Sequence, residues 1–158
     1  MNARSLATSF LAAVLLLGAL GCSKQEAASP ATSTASFRLD GLPFTCRATA
    51  TRGASILNGT MYDFLYLDLT PDRPAGGIEQ LRLNLYKVPG SSANAYSLLN
   101  LMVYTADKGS PYYLDGTALA LTAAGADSFS GTFTGMASGA APSPYTTLTN
   151  GVFTKVRF

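Results

Sequence analysis

The chain has 158 residues, with 11 Lys and Arg against 9 Asp and Glu and no histidine or tryptophan. A formal net charge of +2 creates no long-range field, which argues against nucleic acid as a partner. Without histidine, Ser-His-Asp and Cys-His nucleophile arrangements and His-ligated zinc, copper or non-haem iron sites are excluded.

Met1 to Ser5 carries one cation, Arg4, and Leu6 to Leu20 is an uncharged run of 15 residues dominated by Leu and Ala. Crossing a bilayer takes about 20 apolar residues. A basic start, a short apolar segment and small residues at its end describe a secretory signal helix. Ala19-Leu20-Gly21-Cys22 resembles the lipobox of bacterial lipoproteins. The resemblance implies a signal peptide over 1–21, cleavage before Cys22 and a diacylglycerol on the Cys22 sulfur. A thioether there cannot form a disulfide, so Cys46 is left without an intramolecular partner. The acyl chains make the membrane a partner, since each buried CH₂ contributes about 0.8 kcal/mol. Ser23, rather than Asp, follows the cysteine, which by analogy with the lipoproteins implies lipid anchoring in the bacterial outer membrane, on its periplasmic or its cell-surface face.

Residues 23–36, "SKQEAASPATSTAS", contain no aromatic or large aliphatic side chain and cannot offset their ordering entropy by burial. They read as a flexible tether, which with Cys22 spans 22–36 and reaches roughly 20 Å. Residues 37–158 then form one domain long enough to bury a core without disulfides.

Within that domain, period-two alternation dominates. Leu42, Phe44, Cys46, Ala48 and Ala50 alternate with polar residues, predicting a strand with Cys46 on its buried face. Pro43 suits the start of an edge strand. "MYDFLYLDL", residues 61–69, is apolar on both faces, as in a central strand covered on both sides. Leu81, Leu83 and Leu85 share one face of the next strand. Residues 92–100 are the one helix candidate, of two turns at most, because "LLNLMVY" also reads as a strand. Leu119 with Leu121 and Phe129 with Phe133 mark two more strands. Asp40-Gly41, Asn58-Gly59, Asp115-Gly116 and Asn150-Gly151 are turn signals, because both residue types tolerate positive φ. The expected fold is all-β, an antiparallel β-sandwich or open β-barrel preceded by the signal helix and tether.

Asp40-Gly41 with Pro43-Phe44, Ser130-Gly131-Thr132-Phe133, and Asn150-Gly151 with Phe153 and Val156 resemble segments of small bacterial lipoproteins in a domain-of-unknown-function family. That resemblance implies a compact β-sandwich over 37–158 and supplies no site residues.

No nucleophile elbow, S-x-x-K motif or phosphate-binding glycine loop occurs, and Glu79 is the only glutamate after Glu26. No catalytic residue, metal site or cofactor is expected, and most of the seven aspartates read as turn residues. Tyr112 and Tyr113, between two turn signals, are the candidate ligand-binding pair, because flat amphipathic rings stack on sugars or on a partner protein. Set against this, adjacent strand residues point to opposite faces. The expected function is a lipid-anchored envelope protein, a structural or protein-interaction module and not an enzyme. The alternative is a glycan- or small-ligand-binding module.

Overall fold

The computed structural model describes residues 33–73, 77–107, 110–125, 127–136 and 145–157, with the backbone alone at 115–117. Eight strands follow one another: β1 Thr34–Leu39, β2 Leu42–Leu57, β3 Thr60–Pro71, β4 Ile78–Lys87, β5 Ser97–Thr105, β6 Tyr112–Ala124, β7 Ser128–Met136 and β8 Thr147–Arg157. Each pairs antiparallel with its neighbour in sequence, and β1 pairs with β8. The domain is therefore all-β, as its alternation predicts, and of the two expected architectures it is the barrel. The barrel is closed rather than open, because Thr34 to Leu39 are hydrogen-bonded to β2 on one side and β8 on the other. The predicted signal helix and residues 22–32 of the predicted tether lie outside the described residues. Thr34, Ala35 and Ser36, assigned to the tether from their composition, instead form the first half of β1.

Alternation sends one side chain in two into the barrel. Leu65, Leu67, Leu69, Leu81, Leu83, Leu85, Leu101, Val103 and Leu114 are fully buried there, beside Phe37, Phe44, Phe129, Phe133 and Phe153. Eight strands enclose a space that side chains of this size fill. Burying each such side chain stabilises the fold by about 1.5–3 kcal/mol. Cys46 is inside with them, 1% exposed and opposite Ala35. Burial first, and the charge of Asp72 second, push its thiol up to about 12.

β3 is not a strand covered on both sides. Its inward Leu residues meet the core, but Tyr62, Phe64 and Tyr66 lie on the outer wall of a single-layered barrel. They shield themselves with neighbouring rings. Tyr62 meets Tyr86 edge-on at 5.3 Å, and Phe64 stacks on Tyr66 at 5.9 Å.

Two of the four turn signals reverse the chain. Asp40-Gly41 (φ 49° and 83°) and Asn58-Gly59 (φ 50° and 79°) are two-residue hairpin turns with positive φ at both positions. Asp115-Gly116 and Asn150-Gly151 lie inside β6 and β8, at irregularities of the ladder. Asn150 has φ 53°, so the same conformational tolerance that suits a hairpin here serves a β-bulge. The helix candidate over 92–100 reduces to one 3₁₀ turn, Ala93–Ala95, before β5 begins.

Candidate functional site

The up-and-down order gathers Ser33, the β2–β3 turn, the β4–β5 link, the β6–β7 turn and the end of β8 at one end of the barrel. At this tether-side end a cavity of about 430 Å³ opens. Arg52, Asp63, Lys87, Tyr96, Gly125 and Phe129 are among its walls. That volume is in the range of small-molecule sites.

The charged walls come from inward parity. Arg52 follows Phe44, Cys46 and Ala48 on β2, Asp63 precedes Leu65 on β3, and Lys87 succeeds Leu85 on β4. Polar groups at inward positions mark where the packed interior ends. Lys87 Nζ donates to Asp63 Oδ2 at 2.7 Å and to the Ser91 carbonyl at 3.1 Å. The Lys87 side chain is 11% exposed, against 35% for Asp63. The ammonium also sits 5.5 Å from the centre of the Tyr96 ring. Tyr96 rests edge-on against Phe129 at 5.7 Å and closes the floor of the cavity above the core. Burial raises the Tyr96 phenol above its ordinary value, although nearby Lys87 works against the shift, so the hydroxyl stays protonated. The mouth thus offers an ammonium held by one carboxylate and one carbonyl, over an apolar floor of the Tyr96 and Phe129 rings. This set suits binding an anionic or carbonyl group on a small apolar body.

A second polar cluster decorates the outer wall. Arg82 grips Asp68 through two hydrogen bonds of 2.6 and 2.9 Å, and Gln80 donates to the same carboxylate. The Arg82 guanidinium lies 5.9 Å from the centres of both the Tyr66 and Tyr104 rings. Its bonds to Asp68 hold its pKa above the ordinary guanidinium value. Beside it, Asn84 donates to Asn100 at 2.7 Å. These contacts lace the outer wall, although the buried Asn84 side-chain oxygen is left without a hydrogen-bond partner among the described residues.

The structure separates the two candidate tyrosines. Tyr112 packs toward the core at the opposite end of the barrel, edge-on to Tyr145 at 5.7 Å. Tyr113 is 45% exposed on the outer wall, paired with Met102. They do not form one stacking platform, because neighbouring residues of a strand face opposite ways. Cys22 lies outside the described residues. Among the described residues no three of Cys, Asp and Glu come together as a metal site. Asp63, Lys87 and Tyr96 were not nominated by motif. For Asp63 and Lys87 the signal was parity, a charge continuing the inward phase of an apolar strand, whereas Tyr96 lies on the link between β4 and β5 and carries no such signal.

No protein-family model, curated protein or solved structure matches the chain.

Proposed function

We propose that the protein is a lipid-anchored module of the bacterial outer membrane, held by acyl chains on Cys22 and acting by structural or protein contacts rather than catalysis. One observation carries this reading. The segment leading from Cys22 enters the barrel at Ser33, which is clamped from two sides. The Ser33 hydroxyl donates to the Lys155 carbonyl at 3.0 Å, and the Ala48 amide donates to the Ser33 carbonyl at 3.2 Å. Tension from an anchor is thereby delivered to the seam of a closed barrel instead of to a fraying terminus. Mass spectrometry of the mature N-terminal peptide tests the reading. The expected peptide starts at Cys22 and carries a diacylglycerol. An unmodified Cys22 thiol overturns the anchor.

The cavity beside Lys87 and Tyr96 favours a second reading, in which the module binds a small acidic ligand. Titration with short-chain carboxylates, followed by NMR, is expected to shift resonances of Tyr96, Lys87 and Phe129 together. Shifts confined to the outer wall around Arg82 would move the site there.

A further inference from the structure

We propose that the β2–β3 hairpin is a second membrane-contact element, whose tip of Ile56, Leu57 and Met61 enters the interfacial layer of the bilayer that holds the lipid anchor. The inference rests on the anchoring reading above. It commits to a lipid surface as the occupant of this tip.

The hairpin projects beyond the barrel. β1 accompanies β2 only as far as Arg47, and β4 accompanies β3 only from Asp63 onward. Residues 49–57 therefore pair with β3 alone, and the last turn of the ribbon stands free of the barrel wall. A hairpin tip surrounded by water ordinarily carries polar side chains. This one carries Ile56 at 65% exposure, cross-strand from Met61 at 50%. The pair shares one face and flanks the Asn58-Gly59 turn. Val88, on the β4–β5 link at the same end, is 56% exposed.

Charge follows the same axis. Among the described residues, the tether-side end carries Arg52, Lys87, Lys155 and Arg157 against Asp63 and Asp127. The opposite end carries Asp40, Asp72, Glu79 and Asp107 against Arg38 and Arg73. A basic, apolar-tipped end suits an anionic lipid surface, and an acidic end is repelled by one.

Chain length makes the contact geometrically natural. Ser33 is level with Ala48 and stands eleven residues on from Cys22. Eleven residues span at most about 35–40 Å. The hairpin tip lies nine residues beyond Ala48. That is about 30 Å along the strand, and roughly 20–25 Å along the axis once barrel tilt is included. An anchor on Cys22 thus reaches the membrane alongside the projecting tip and keeps it at high local concentration over the lipid.

The test uses the full lipidated chain in vesicles of phosphatidylethanolamine and phosphatidylglycerol. An environment-sensitive dye is placed at Ile56→Cys and, as a control, at Met136→Cys on the opposite end, where Met136 is 57% exposed. Buried Cys46 does not compete for the label. Acyl chains bearing a quencher are expected to dim the dye at 56 by more than about two-fold and to leave the dye at 136 unchanged, as for a tip lodged at the headgroup boundary. Equal quenching at the two positions overturns the proposal. A dye at 56 that is shielded from water yet unquenched by lipid also overturns it, because a protein surface or a second copy then covers the tip. Hydrogen exchange on the unlabelled chain checks that the dye is not itself what inserts. Amides of 56–61 are expected to slow on vesicles relative to detergent, and unchanged exchange overturns the proposal. Intact mass reads the acylation of Cys22 separately, so loss of the anchor and failure of the hairpin contact give different results.

Discussion

Phe133 on β7 lies directly over Gly151 on β8. A Cβ added at Gly151 would stand 2.5 Å from the Phe133 carbonyl oxygen and 2.7 Å from its ring. The next cross-strand site repeats the arrangement in reverse, with Phe153 over Gly131, where a Cβ would meet the Phe153 ring at 2.7 Å. Ser130-Gly131-Thr132-Phe133 and Asn150-Gly151-Val152-Phe153 are therefore two halves of one device. Each Phe fills the interior above the glycine of the other strand, and the two rings meet at 6.2 Å.

Gly151→Ala is expected to destabilise the domain by about 1–3 kcal/mol or more, because the added methyl meets a backbone oxygen that cannot swing aside. Gly53→Ala is the contrast. There the nearest atom is the edge of the Tyr66 ring at 3.3 Å, a side-chain contact that needs to yield by only a few tenths of an ångström. Chemical denaturation of both variants decides the matter, and equal losses would show that the close approach at 151 is not what selects glycine.

Phe133→Ala is expected to cost about 3–5 kcal/mol, the range for emptying a buried aromatic site. Phe133 is 1% exposed and touches both Phe37 and Phe153. A loss below about 1 kcal/mol, read as a shift in the urea midpoint, would place the ring outside the packed interior.

Cys46 is expected to resist thiol reagents at pH 8 in the native state. Only the thiolate reacts, and burial has pushed this thiol up to about 12. Labelling is expected to become complete once denaturant opens the barrel. Rapid labelling of the native protein would refute a sealed interior around Ala35 and Cys46.

Asp40 ties the β1–β2 turn to the start of β8. It accepts hydrogen bonds from the Thr147 amide at 2.8 Å, the Thr146 amide at 3.0 Å and the Thr146 hydroxyl at 2.7 Å. Burial alone would raise its pKa, but bonds from Thr146 and Thr147 outweigh it and hold the carboxyl below its ordinary value. A carboxyl depressed in the folded state contributes stability that is complete above its unfolded value, near 3.9, and is lost as pH falls through the folded value. Asp40→Asn keeps the tolerance for positive φ and removes the charge. The gap between wild type and this variant in denaturation midpoint is expected to be constant above about pH 5 and to close below about pH 4. A gap that ignores pH would assign Asp40 no ionic role.

Alternation made the interior of β2, β4, β6 and β7 readable, because Leu81, Leu83 and Leu85 or Phe129 and Phe133 carry the period in bulky side chains. β1 was only half legible. Thr34, Ala35 and Ser36 are small and resemble tether, yet Ala35 is buried opposite Cys46. Asn150-Gly151 shows the limit of dipeptide signals. The pair reports tolerance for positive φ, and whether a hairpin or a bulge uses that tolerance is decided by partners elsewhere in the barrel. The mouth required pairing Asp63 with Lys87, 24 positions apart, across a register that the local sequence does not encode. The outward rings of β3 suggested a covering layer because apolar content alone does not distinguish a second sheet from rings that shield one another.

The seam between β1 and β8 joins segments as far apart as Ser33 and Lys155, separated by 122 positions. Every other strand pairing links neighbours in sequence. Assembly therefore splits into seven quick local zippering steps and one slow ring closure, whose entropy cost falls on the final strand. A nascent chain that has not yet released residues 147–157 presents two naked ladder edges, on β1 and β7, and is at its most aggregation-prone just before completion.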